Sequence, residues 1–281
     1  MSIEAKRSRA VFQRLDQDLL KLSSKTRPDL VHRLRTGTRR LQILLGELSP
    51  RTDRNQKKLL KLLGRIRKRA GKVRDIDVQL SALRSLKIAQ QPHRKTELMN
   101  GLIELRERQE KKLRKVLDRK TASELRKRLK RAAKDFDPKK ARDPLSVAKA
   151  MLETVQGEEA PPTEALLHRY RILTKRARYA AEFAAPSAEA TQFIAELKRI
   201  QDALGDWHDW LTLAQTAKQK LGEVRDSPVV AELHNVTGAK FRHAVKMLAR
   251  MRAGHGANKS KPNPSPAAIA VSTNLSSSSA A

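Results

Sequence analysis

Apolar residues recur every three to four positions along most of this chain, the spacing of amphipathic helices rather than strands. The pattern predicts helices over 3–23, 28–48, 52–72, 75–88, 93–119 and 121–136, and then over 146–156, 163–185, 188–204, 208–222 and 227–252. Pro28 suits the first turn of its helix, and Ser49 and Pro50 end it. The stretches 137–145, with two prolines, and 157–162 (GEEAPP) read as connections. From His255 the composition turns to Ser, Ala, Pro and Asn, which cannot bury a core, so 255–281 is expected to be a disordered tail. The expectation is an all-α protein. One helical domain spans 1–254, with a first bundle at 1–136 and a second at 143–254.

The polar faces carry more information than the apolar ones. Between Leu30 and Leu48, six leucines share one arc at about 100° per residue. His32, Arg35 and Arg39 lie opposite, within about 60° of one another. The segment from Leu166 repeats this arrangement 136 residues later, with Leu166, Tyr170, Leu173, Ala177, Ala181 and Ala184 inside and His168, Arg171, Lys175 and Arg178 outside. RAGKVRDIDV (69–78) and ALGDWHDWL (203–211) match at an offset of 134, pairing Gly71 with Gly205, Arg74 with His208 and Asp75 with Asp209. Matched blocks at a nearly constant offset argue for an internal duplication. They predict two helical bundles related by pseudo-twofold symmetry.

Composition sharpens the picture. Hydrophobic residues make up 39% and aromatics 3%, so the core must be Leu, Ile, Val and Ala. The net charge is +31, and Lys259 and Lys261 are the only charges from His255 onward. A charge this large repels itself in a compact state and points to a polyanionic partner. A basic helix face is ordinarily just solvated, but such faces mix signs in i,i+4 pairs. Neither stripe contains an acid between 30 and 46 or between 165 and 181. A bound anion is the better reading. Arg matches phosphate oxygens bidentately, Lys is a compact point charge, and His switches charge near neutrality. Stripe neighbours are about 5–6 Å apart, which suits closely repeated charge. Base readers need stacking platforms, and only nine aromatics are present, none in the first stripe. Backbone-only nucleic-acid binding stays open.

The absence of cysteine excludes disulfides and thiolate chemistry and fits a cytoplasmic location. No apolar run is long enough for a signal peptide or a membrane span. Asp75 and Asp77 read as helix caps rather than metal ligands, and Asp206, His208 and Asp209 take the same reading. GRIRKRAGKV (64–73) has the wrong glycine spacing for a phosphate loop, and no catalytic motif appears, so neither enzyme activity nor a metal is expected. Phosphohistidine chemistry at the matched histidines is disfavoured, because flanking cations lower their pKa and no acid in either motif orients the rings. The run 124–136 reads as a solvated basic face.

His32-Arg-Leu-Arg35-Thr-Gly-Thr-Arg39-Arg40-Leu41, Arg74-Asp75-Ile-Asp77, His168-Arg-Tyr-Arg171-Ile-Leu-Thr-Lys175-Arg176-Ala-Arg178-Tyr179 and Leu197-Lys198-Arg-Ile-Gln201-Asp202 together resemble the CHAD family, the conserved-histidine α-helical domain, over about 5–252. The resemblance implies two four-helix bundles around a central cationic cavity. It also implies non-catalytic binding of inorganic polyphosphate, with association to polyphosphate granules. Its ligand contacts would be His32, Arg35, Arg39, Arg40, Arg74, His168, Arg171, Lys175, Arg178 and Lys198. Gln42 stands where the family often has arginine, and Gly64 lies opposite Lys198, so the first half should contribute less unless Arg65, Arg67, Lys68 and Arg69 compensate.

Overall fold

The structure is a computed structural model that describes residues 3–22, 26–88, 91–155, 162–223 and 227–259. Its helices are α1 (Ala5–Leu22), α2 (Pro28–Ile43), α3 (Arg54–Ser85), α4 (Pro92–Val116), α5 (Arg119–Asp135), α6 (Pro144–Glu153), α7 (Glu164–Ala181), α8 (Ala188–Leu221) and α9 (Pro228–Lys259). Among the described residues there is no strand, only an isolated bridge between Ile3 and Ala184. The protein is all-α. The predicted 28–48 helix is α2 followed by a π-helical turn, Leu44–Leu48, in which the Ser49 N–H donates to the Leu44 carbonyl at 3.0 Å.

Two predicted breaks are absent. The segments 52–72 and 75–88 are one helix, and so are 188–204 and 208–222. Leu59, Leu63, Ile66, Ala70, Val73, Ile76, Leu80 and Leu83 keep one buried stripe through the Gly71 step, and packing outweighs the weak helix propensity of one glycine. The reading of Asp75 and Asp77 as caps is therefore corrected: both sit inside α3 and bind arginines instead. Asp206, His208 and Asp209 are likewise interior to α8. The true cap of α3 is Asp53, whose carboxylate accepts from the Gln56 N–H at 2.7 Å while Gln56 reaches back. α8 starts at the Ser187 cap and stops at Gly222, whose φ of 91° favours glycine. α9 runs to Lys259, beyond the predicted end at 252 and into the expected tail. Residues 260–281 of that tail lie outside the described residues.

The expectation of two bundles, 1–136 and 143–254, meets a core that does not divide at that connection. The largest cluster joins Leu15 and Leu19 of α1, Leu34 and Leu41 of α2, Leu59 and Leu63 of α3, and Leu125 and Leu129 of α5 to Leu145 of α6, Ala177 and Ala180 of α7 and Phe193 and Leu197 of α8. A second cluster joins the C-terminal parts of α3 and α8 through Leu83, Leu98, Leu213 and Val229. Only the third, around Tyr170, Trp207 and Leu248, belongs to the second half alone. Each fully buried leucine contributes about 2 kcal/mol, the main force set against the self-repulsion of the chain. Part of the basic run on α5 is structural: Arg126 grips Asp16 of α1 at 2.8 and 3.1 Å. α2 packs on α7 and α3 on α8, which brings the two basic stripes face to face.

Candidate functional site

Between these four helices and α9 lies a cavity of about 800 Å³. His32, Arg35, Arg39, Arg74, Arg171 and Lys175 line it, so six of the ten predicted residues converge there. Each comes from the middle of a helix, and its orientation follows from the buried residues of the same helix. Leu34, Thr38 and Leu41 fix α2, and Tyr170, Thr174 and Ala177 fix α7, which turns the stripes toward each other. A second cavity, of about 710 Å³, shares His32, Thr36, Lys175, Tyr179 and Gln201 with the first and holds the predicted Arg40 and Arg178.

Two predicted contacts line neither cavity. Lys198 is exposed on α8 and bonds Asp202 one turn on, at 2.6 Å. His168 is exposed and packs its ring 5.5 Å from that of His208. The neighbouring Arg199 occupies the place expected of Lys198, since one residue of rotation, about 100°, turns a helical side chain to another face. Lys240 and His243 of α9 complete the wall. Arg199 lies inside the quoted 197–202 motif but is not singled out there, and Lys240 and His243 lie outside every motif.

The stripes lack acids, but the facing helices supply them. Asp75 of α3 and Asp202, Asp206 and Asp209 of α8 line the first cavity, so seven Lys and Arg face four Asp. Arg35 donates to Asp75 at 2.9 Å and to the Gly71 carbonyl at 3.1 Å. Lys240 pairs with Asp206 at 2.7 Å. Arg40 donates to Glu182 at 2.8 Å, and Arg178 binds the same carboxylate and, at 2.7 Å, the Gln201 amide oxygen. The guanidinium carbons of Arg40 and Arg178 also lie 5.5 and 4.9 Å from the Tyr179 ring centroid.

Arg39, Arg171 and Lys175 are different. They are half-buried and have no ion-pair partner among the described residues. The Arg171 Nε is buried without an acceptor. Burial, reinforced by Arg171, Arg39 and Arg35, lowers Lys175 from its ordinary 10.5 to about 8. Burial likewise lowers Arg39, with Arg35 adding to the effect, and it lowers Arg171 against the pull of Asp209 and Asp75. Of the cations proposed to compensate for Gly64, Arg67 lies near enough to Arg35 to share this repulsion, and its own Nε has no acceptor. His32 is lowered by burial and then by Arg74, Arg35, Lys175 and Arg40. His168, although exposed overall, is lowered by partial desolvation and then by His208 and Arg171. Uncompensated charge concentrated in a walled space costs folding energy and attracts a polyanion.

The family model of the CHAD domain matches residues 6–218. The chain belongs to the CHAD domain family. The matched residues stop inside α8, so the α9 residues that close the cavity lie beyond them. The crystal structure of the CHAD domain from the plant Ricinus communis superposes with a TM-score of 0.58 at 20% identity, over 88% of either chain. That likeness shows that this CHAD domain shares the plant domain's fold. No curated protein is significantly similar in sequence.

Proposed function

We propose that the protein binds inorganic polyphosphate, without turning it over, in the cavity between α2, α3, α7, α8 and α9. One observation carries the reading: Arg39, Arg171 and Lys175 stand half-buried and unpaired in one cavity. A linear chain of phosphates supplies the missing negative charge at the spacing the stripes present. The same reading extends to a cytoplasmic protein associated with polyphosphate granules. For the described residues the structure adds only that no helix is long and apolar enough to cross a membrane.

The competing reading is sequence-independent nucleic-acid binding, favoured by the net charge of +31. Competition of duplex DNA and RNA against labelled polyphosphate, at about 150 mM salt where screening sets in at about 8 Å, separates the two. Polyphosphate should win at equal phosphate concentration, and the double substitution Arg35→Glu and Arg171→Glu should abolish its binding with helicity retained. Equal competition would give the nucleic-acid reading the lead. Metal-dependent phosphate release that is lost on His32→Ala would overturn the non-catalytic assignment.

A further inference from the structure

The two cavities share His32, Thr36, Lys175, Tyr179 and Gln201 in their walls, so they lie side by side as two arms of one basic region. The arms differ in charge state. The first holds the unpaired Arg39 and Arg171. In the second, the cations converge on one residue, Glu182 at the C-terminal end of α7. Its carboxylate accepts from Arg40 and Arg178, and its backbone carbonyl accepts from Arg7 at 2.9 Å. Asp18 holds Arg33 in the same arm at 3.2 Å. The exposed Arg14 of α1 also lines the second arm, with no ion-pair partner among the described residues. A carboxylate thus sits between two arginines as a phosphate would, in an arm that also holds the unpaired Arg14.

Resting on the polyphosphate reading, we infer that the second cavity continues the first and admits only long chains, with Glu182 standing in for phosphate until a chain displaces it. A short chain satisfies Arg39, Arg171 and Lys175 and stops. Entering the second arm would bring it against a like-charged carboxylate and arginines already paired, for little net gain. A long chain held in the first arm presents its next phosphates at high effective concentration. An internal phosphate unit matches a carboxylate in charge and free oxygens, so the tether and the unpaired Arg14 tip the exchange, and successive units take Arg40 and Arg178 from Glu182 and reach Arg14. Glu182 then sets chain-length preference without touching the first arm.

The readout is the ratio of the affinity for long-chain polyphosphate to that for tripolyphosphate, measured calorimetrically for the full chain. Glu182→Gln keeps the shape and removes the competing charge, and should raise the ratio about three- to tenfold. Arg14→Glu should lower it by a similar factor. Because Glu182 also ties α2 to α7, Arg14→Glu is the safer arm of the test: Arg14 is exposed and its loss breaks no ion pair among the described residues. A ratio that Arg14→Glu leaves in place overturns the two-armed channel, even if Glu182→Gln misfolds. Wild-type protein that binds neither ligand overturns the polyphosphate reading itself, a separate failure.

Discussion

Arg35 and Asp75 form an ion pair of 2.9 Å across the seam between α2 and α3, so one cation of the cavity is neutralised by the helix its own stripe packs against. The Asp75 side chain is 61% exposed and that of Arg35 only 19% exposed. The carboxylate is the solvent-facing partner, and its removal uncovers a half-buried arginine. Asp75→Asn should therefore tighten polyphosphate binding about three- to tenfold and cost at most about 1 kcal/mol of stability. Titration calorimetry and a denaturant midpoint check the two halves, and weaker binding by Asp75→Asn would show that Asp75 orients Arg35 for the ligand.

Lys175 sets the pH response. Its pKa in the free protein is about 8, against an ordinary 10.5. A bound polyanion favours the charged form, so binding near pH 8 takes up a proton, and affinity falls as pH rises from 7 to 9 by at most tenfold per unit. His32, lowered by burial and the cations around it, adds a rise in affinity on acidification below its ordinary pKa. For the unliganded protein the sign is opposite. The unfolded chain holds the Lys175 proton more tightly than the folded one, so stability climbs from about pH 8 to 10.5 as this penalty is relieved. Lys175→Met should flatten both alkaline responses and stabilise the free protein by about 1–2 kcal/mol. Proton uptake is read from binding heats in buffers of different ionisation enthalpy. No uptake near pH 8 would contradict a ligand at Lys175.

Away from the cavity, Arg106 of α4 bonds Asp77 of α3 at 2.7 Å and Glu110 at 2.6 Å, and the Asp77 side chain is 6% exposed. Arg106→Ala leaves that carboxylate buried and unpaired, and should cost about 3 kcal/mol. Urea unfolding measures it. A loss under about 1 kcal/mol would mean that water reaches Asp77.

Gly64 lies inside α3, and an added Cβ meets no atom within 4 Å. Gly64→Ala should stabilise the protein by about 0.5–1 kcal/mol through helix propensity alone. Gly64→Lys should leave polyphosphate affinity in place, because the matched Lys198 lines neither cavity and is paired with Asp202. A marked gain in affinity would show that the position faces the ligand after all.

The all-α fold was legible because 3.6-residue periodicity survives a lean composition, and the inward-facing stripes because their cations are separated so cleanly from the leucines. What escaped the sequence depended on contacts between distant segments. The gaps expected at 73–74 and 205–207 do not exist, because the apolar stripes of α3 and α8 carry straight through them. Asp75 and Asp209 read as caps beside those gaps, although tertiary packing puts both in the cavity wall. Lys198 and Arg199 are neighbours in sequence, and only the rotation of α8 decides which of them faces the cavity. Lys240 lies on α9, outside every motif quoted from the sequence. Likewise, the stripes are free of acids as sequences but not as surfaces, since Glu182 lies one residue beyond α7 and binds Arg40 from 142 positions away.

The walls of the first cavity come from the middles of α2, α3, α7, α8 and α9, and α3 and α8 each run more than 30 residues without interruption. On the polyphosphate reading, a site walled by these helices is assembled before its ligand arrives. Encounter should then be governed by the long-range field, fast in dilute buffer and steeply slowed by added salt. Release, by contrast, would proceed by peeling phosphates from fixed cations one after another. Residence time would thus grow with the length of polymer engaged, while the speed of capture would hardly register it.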